Sequence, residues 1–320
     1  MEKIISHGNL EQTIGLPISS KFITANTIEI GLSEVKSKHI TPSFSKDNET
    51  LIAHSDFIEL TSMVAESVFK NESINKPILR VSHPVLGRIP EARQKPSNAL
   101  LEHEKTLYYE RMAFMIEIPT IRDVVNGNEL NLTIGGVKAY SMDNLNGRKG
   151  YEQHFKVFIG FKNTVCTNLC ISTDGFSQTI KARSINDLME RIYELFSDFN
   201  ALKELQSLER LGNYGITESQ FASLIGRARM YQNLPLNKKA HLPVLKLSDT
   251  QINDVVKGYY KDPNFSGNKG IGLWNLYNLF TGANKSSYID SFIERGVNSL
   301  DFVNSLSVAL DNKQSHWFLN

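Results

Sequence analysis

Two alternating apolar segments joined by Asn126-Gly127 constrain this chain more than any other feature in it. The run from Glu110 to Gly175 reads ERMAFMIEIPTIRDVV, NGN, ELNLTIGGVKAYSM, the polar loop DNLNGRKG and YEQHFKVFIGFKNTVCTNLCISTDG. Asn and Gly both accept positive φ, so this pair between segments of period two is the strongest short-range hairpin signal. The stretch predicts three or four antiparallel strands.

On either side the period changes to that of helices. Asp56 to Phe69 sets Phe57, Leu60, Met63, Val64 and Val68 at helical spacing. Prolines between Lys76 and Asn98 rule out a long helix but permit a strand at Ile78 to Val81. Ser97 is placed to cap a helix over Asn98 to Tyr109. Ser184 with Asp187 opens a helix whose apolar residues recur from Ile185 to Leu208. Thr217 with Gln220 and Ser248 with Gln251 mark two more helix starts, and further helices are expected near 270–282, 286–295 and 299–311. Strands and helices are therefore segregated. The fold class is α+β, an antiparallel sheet in the middle region followed by a helical C-terminal third. The expected division is a loosely ordered extension over 1–50, a β-rich core over 51–181 and a helical region over 182–320.

Charge narrows the functions open to the chain. With 35 basic and 34 acidic residues it carries no net field to draw it to polyanions, so a nucleic-acid role needs a local patch. No run of about 18 apolar residues occurs, which argues against a membrane span. MEKIISHGNL has no long apolar core, and the two cysteines suit a reducing compartment, so the expected location is cytoplasmic.

Few residues point to chemistry. Cys166 and Cys170, on extended chain, are about 13 Å apart, too far for a disulfide, and read as buried thiols. Gly135, Gly136 and Gly160 interrupt strands without forming a phosphate loop, and the eight histidines show no HxxxH or HExxH spacing. The carboxylates Glu110, Glu117, Asp123, Asp143 and Asp174 could converge as acid and base, but no spacing favours a pair. No catalytic, metal or cofactor residue is assigned, and no cofactor is expected.

Two sets of polar residues stand out. Arg80, Arg88, Arg93 and Lys95 form the most basic short region; the plain reading is a solvated loop, the sharper one a phosphate-contacting arm. Tyr109, Arg111, Lys138 and Lys156 extend it, with Phe155, Phe158 and Phe161 as stacking surfaces beside cations. The second set lies in IGLWNLYNLFTG, where Asn275, Asn278 and Thr281 fall three apart on an otherwise apolar helix. Amides buried in such a helix need partners, either from neighbouring helices or from a ligand.

The segments LWNLYNLFTGANKSSYIDSF, GGVKAYSMDNL and FKVFIGFKNTVCTNLCISTDG resemble domain-of-unknown-function family 3871. More distantly the chain is similar to the phage- and plasmid-associated family 932, which has a Cys-x-Asn element after a strand and an Asn-x-x-Thr helix near its end. The resemblance covers about residues 50 to 320 and rests on Gly135, Gly136, Lys138, Tyr140, Asn144, Cys166, Asn168, Asp174, Asn275, Asn278 and Thr281. It implies a companion of bacterial mobile elements and carries over no catalytic residue. The leading expectation is a non-enzymatic protein that binds single-stranded or distorted DNA through the sheet and the basic arm. The alternatives are an interaction or scaffold protein, acting on a protein partner or by self-association, and a hydrolase or nuclease. A polar site or network at Asn168, Asn275, Asn278 and Thr281 is expected under any of them.

Overall fold

The computed structural model describes residues 21–38, 51–92, 94–144, 152–261 and 270–320. Its first half holds β1 (Ile28–Ile30), α1 (Leu32–Lys38), α2 (His54–Val68), β2 (Ile78–Val81), β3 (Pro84–Arg88) and β4 (Lys105–Tyr109). Then come β5 (Arg111–Val125), β6 (Asn128–Ala139), α3 (Tyr140–Asn144), β7 (Gln153–Asn163), β8 (Leu169–Cys170) and β9 (Phe176–Ala182). The rest holds α4 (Ile185–Asp198), α5 (Ala201–Arg210), β10 (Gly215–Thr217), α6 (Glu218–Gln232) and α7 (Leu236–Lys239). It ends with α8 (Asp249–Lys261), β11 (Gly270–Gly272), α9 (Leu273–Asn284) and α10 (Ile289–Asp311). The architecture is α+β, with the antiparallel sheet in the middle and helices following it.

The hairpin forms where Asn-Gly predicts it. Asn126 and Gly127 take φ of 49° and 78°, and Val125 pairs with Asn128 across the turn. The main sheet runs β1-β2-β5-β6-β7-β8, antiparallel throughout, with β9 also on β7. Between β5 and β6 the register slips between Ile118 and Arg122, a span that contains Pro119 and so lacks a ladder donor, and between β7 and β9 it slips between Phe155 and Val157.

Both faces of the sheet are covered. Phe155, Val157, Ile159 and Phe161 alternate toward a core shared with α2, α4 and the C-terminal helices. Phe158 points the other way, into a second cluster with Phe22, Ile23 and the α10 residues Ile289, Phe292 and Ile293. Gly136 makes the α2 packing possible: a Cβ there would lie 2.5 Å from the Phe57 ring. Phe57 sits edge-on to Phe114 and Phe155 at 5.1 and 4.9 Å.

Several local expectations are corrected. Ser97 starts only a single 3₁₀ turn, and the span expected as helix ends in β4, whose Leu107, Tyr108 and Tyr109 pair with β3. Aromatic and β-branched residues in that segment favour a pleated surface once a partner strand is present. The helix expected from Ile185 to Leu208 is two, because Asn200 accepts from Lys203 N at 3.0 Å and opens a new start. The two last helices are instead one, α10, in which Gly296 allows a close approach by Asn284. Of the N-terminal extension, 21–38 is well packed, with Phe22, Ile23 and Val35 buried and β1 on the sheet edge; 1–20 and 39–50 lie outside the described residues. The helix starts at Ser184, Thr217 and Ser248 form as expected, the last two as reciprocal pairs with Gln220 and Gln251.

Candidate functional site

The cations expected to meet phosphate are held elsewhere. Arg80 is 2 % exposed: it donates to Thr27 and pairs with Glu29 at 3.3 Å, tying β2 to β1. Arg88 donates to the Lys95 carbonyl and to Ser97 Oγ. Lys95 pairs with Glu104, and that hydrogen bond, ahead of one from Leu101 N, holds the Glu104 carboxyl below its ordinary range. Arg111 faces Asp290 at 3.7 Å. Lys156 donates to the Asp290 carbonyl and to Glu294, both at 2.6 Å. Burial opposes ionisation of Glu294, but Lys156 and Lys246 together outweigh it and lower the pKa. Tyr109 is buried, and Arg93 lies outside the described residues. Phe155, Phe158 and Phe161 are all buried, so none of the three offers a stacking surface.

Lys138 has a structural role of its own. It has no exposed surface and donates to Asp143 at 2.9 Å and Gln153 at 3.2 Å, with the Phe155 ring 3.9 Å from its Nζ. Burial lowers its pKa, against the pull of Asp143. Asp143 also accepts from His154 N, and Gln153 from Ile52 N, so the network closes the sheet end over α2. The other sheet carboxylates are equally dispersed: Glu117 meets Lys162, Glu110 accepts from Ser141 N, Asp123 from Val124 N, and Asp174 from Lys203. They do not converge as an acid and a base.

The polar set fares differently. A cleft of about 780 Å³ lies between α8, α9 and the turn linking β7 to β8. Leu276, Tyr277 and Phe280 turn α9 toward the core. That leaves Asn275, Asn278, Leu279 and Gly282, spaced i, i+3, i+4 and i+7, to line the cleft. Asn168 lines it from the β7–β8 turn, where Thr167 takes φ of 53°, and its Nδ2 donates to the Asn278 carbonyl at 3.0 Å. Three of the four residues expected as a polar site thus meet. Thr281 does not: it is buried, and its hydroxyl donates back to the Tyr277 and Asn278 carbonyls.

The hydrogen-bond tally decides what is left for a ligand. Asn278 Nδ2 donates to the Trp274 carbonyl, and the Oδ1 atoms of Asn168 and Asn278 are buried without a partner. Asn275 is half-buried and, among the described residues, its carboxamide makes no bond, so a donor and an acceptor are both free. Two further lining residues, Lys285 and Asp254, escaped the sequence reading. Lys285 Nζ donates to the Cys166 carbonyl and to Thr167 Oγ1, leaving one of its three N–H groups, and burial lowers its pKa. Asp254 meets Lys257 at 3.3 Å. Lys285 stands directly after α9 and was findable from that position; Asp254 is on another helix and gave no signal.

Burial raises the Cys166 thiol pKa, which keeps it protonated and poorly nucleophilic. Among the described residues no histidine lines the cleft to act as its base. The groups left over are a carboxamide, an ammonium N–H and the second oxygen of the Asp254 carboxylate, which suit a ligand with its own donors and acceptors.

An α+β protein with an amide-lined cleft under two helices is thus what fold and site define. The chain belongs to domain-of-unknown-function family 3871, described as "Domain of unknown function, B. Theta Gene description", whose model matches residues 9–319. No curated protein and no solved structure matches it. Among the described residues no helix is long and apolar enough to cross a membrane, and no group of three His, Cys, Asp or Glu side chains could hold a metal ion.

Proposed function

We propose that this chain is an interaction protein whose cleft takes an extended polypeptide segment of a partner. The observation that carries this is the uncommitted carboxamide of Asn275, on the same helical stripe as Asn278 and in the same cleft as Lys285 and Asp254. A carboxamide pairs with a main-chain amide through one donor and one acceptor, as strands pair with each other. Opposite charges at Asp254 and Lys285 suit a polypeptide and disfavour a polyanion, which needs several free cations along its track.

The distant kinship with family 932, and the mobile-element setting it implies, belong to the same proposal. What supports them is that the Cys-x-Asn element at Cys166–Asn168 and the Asn-x-x-Thr element at Asn278–Thr281, far apart in the chain, are joined by one hydrogen bond beside the cleft.

Calorimetric titration with an N-acetylated, C-amidated peptide of alternating Ala and Ser tests the reading, with a single-stranded oligonucleotide as the competing ligand. Saturable peptide binding that Asn275→Ala weakens about tenfold, or about 1.4 kcal/mol, is expected. Oligonucleotide binding with a steep salt dependence and no peptide binding overturns it.

A further inference from the structure

A second surface, sharing no residue with the amide-lined cleft, lies between α2 and α4. The apolar residues of α4 form two stripes. Leu188, Ile192 and Phe196 are buried against the sheet, while Ile185, Met189 and Tyr193, at i, i+4 and i+8, are 46 %, 38 % and 50 % exposed. On α2 the helical spacing counts Met63 among the apolar positions, yet it is 61 % exposed. Met63, Val64 and Ser67 face Met189 and Tyr193 across a groove of about 440 Å³. An amphipathic helix that packs only one stripe has no need of the second. Exposed methionines give an adaptable wall for apolar side chains.

Charge says what fits there. Glu190 and Glu194 line the groove at i and i+4, are exposed, and have no cationic partner among the described residues. Two like charges at that spacing cost α4 a few tenths of a kcal/mol. The one cation between them in sequence, Arg191, is committed to Asp187 at 3.1 Å. Glu66, on the exposed side of α2, is also unpaired.

We infer that the α2–α4 groove docks a basic amphipathic helical segment of a partner protein. Its apolar side chains sit between Met63, Met189 and Tyr193, and its Lys or Arg side chains meet Glu190 and Glu194. An apolar helix face laid into a groove between two helices is a recurrent mode of peptide recognition.

The test is fluorescence anisotropy with a labelled peptide of about 14 residues, or about four turns, built only from Leu and Lys, with leucines at helical spacing. A scrambled peptide of the same composition is the control. At about 0.15 M salt, the patterned peptide binds saturably and the scrambled one about tenfold more weakly. Glu190→Lys with Glu194→Lys, and separately Met189→Ser with Tyr193→Ser, each weaken binding about tenfold. Asn275→Ala leaves it unchanged. All four positions are exposed, so circular dichroism and urea midpoints stay at wild-type values and report folding independently. Equal binding of the two peptides, or full affinity after charge reversal, overturns the inference. So does a dimer in sedimentation velocity that Tyr193→Ser abolishes, since a second copy would then fill the groove.

Discussion

Asn168 donates its carboxamide N–H to the main-chain carbonyl of Asn278, 3.0 Å away and 110 residues further along the chain. The bond fastens the β7–β8 turn to α9 and shapes one wall of the cleft, and it leaves the Oδ1 atoms of both residues buried without partners. The Asn278 carbonyl also accepts from the Thr281 hydroxyl, so losing the Asn168 donor forfeits one hydrogen bond without stranding the carbonyl. Asn168→Ala is therefore expected to cost about 0.5–1.5 kcal/mol in urea unfolding. A change within error would mean that the turn holds its place without this bond.

Lys138 and Asp143 give a sharper case. Both are fully buried and meet at 2.9 Å, so removing one leaves the other charged and uncompensated. Lys138→Met is expected to destabilise the protein by about 3–5 kcal/mol. Adding Asp143→Asn removes the stranded charge and should recover part of that loss. A double variant no more stable than the single one would show that the pair's partners, not its charges, dominate.

Glu204 predicts a pH dependence. Its carboxyl is buried, and desolvation pushes its pKa up to about 8 from an ordinary value of 4.5, against the hydrogen bond from Ser172. The neutral form is favoured in the folded state. Its contribution is complete below about pH 4.5 and is lost as pH rises through about 8, with a slope of at most about 1.4 kcal/mol per pH unit. Glu204→Gln removes that dependence. Unfolding free energies measured across this window, wild type minus variant, should fall with pH; a flat difference contradicts the burial argument.

Gly136 is expected to tolerate no side chain. A Cβ would lie 2.5 Å from Phe57 and 2.8 Å from the Lys156 carbonyl, and the second of these cannot rotate away. Gly136→Ala should cost about 1–3 kcal/mol by overpacking, and Phe57→Leu in the same chain should relieve only part of it. Thermal unfolding of the two variants distinguishes ring contact from backbone contact.

What the sequence makes legible here is local. Asn126-Gly127 sets its turn through φ alone, and Ser248 with Gln251 caps α8 within four residues, so neither depends on distant chain. Residues whose partners lie far away were misread. Leu107 to Tyr109 look like the end of a helix until β3 is beside them. Arg80 reads as a free cation until Glu29 and Thr27, from the segment expected to be loose, fold over it. The cleft was half visible: the Asn275–Asn278 stripe follows from helical spacing, while Asp254 comes from α8 and no periodicity links the two. Thr281 shares the three-residue spacing but bonds back into its own helix, which spacing alone does not reveal.

The most direct measurement is nuclear magnetic resonance of the asparagine side-chain amides during titration with the capped Ala-Ser peptide. The Asn275 carboxamide resonances, assigned by their loss in Asn275→Ala, should shift progressively and saturate. Unmoved Asn275 resonances at a peptide concentration that perturbs other surfaces would contradict a polypeptide-binding cleft.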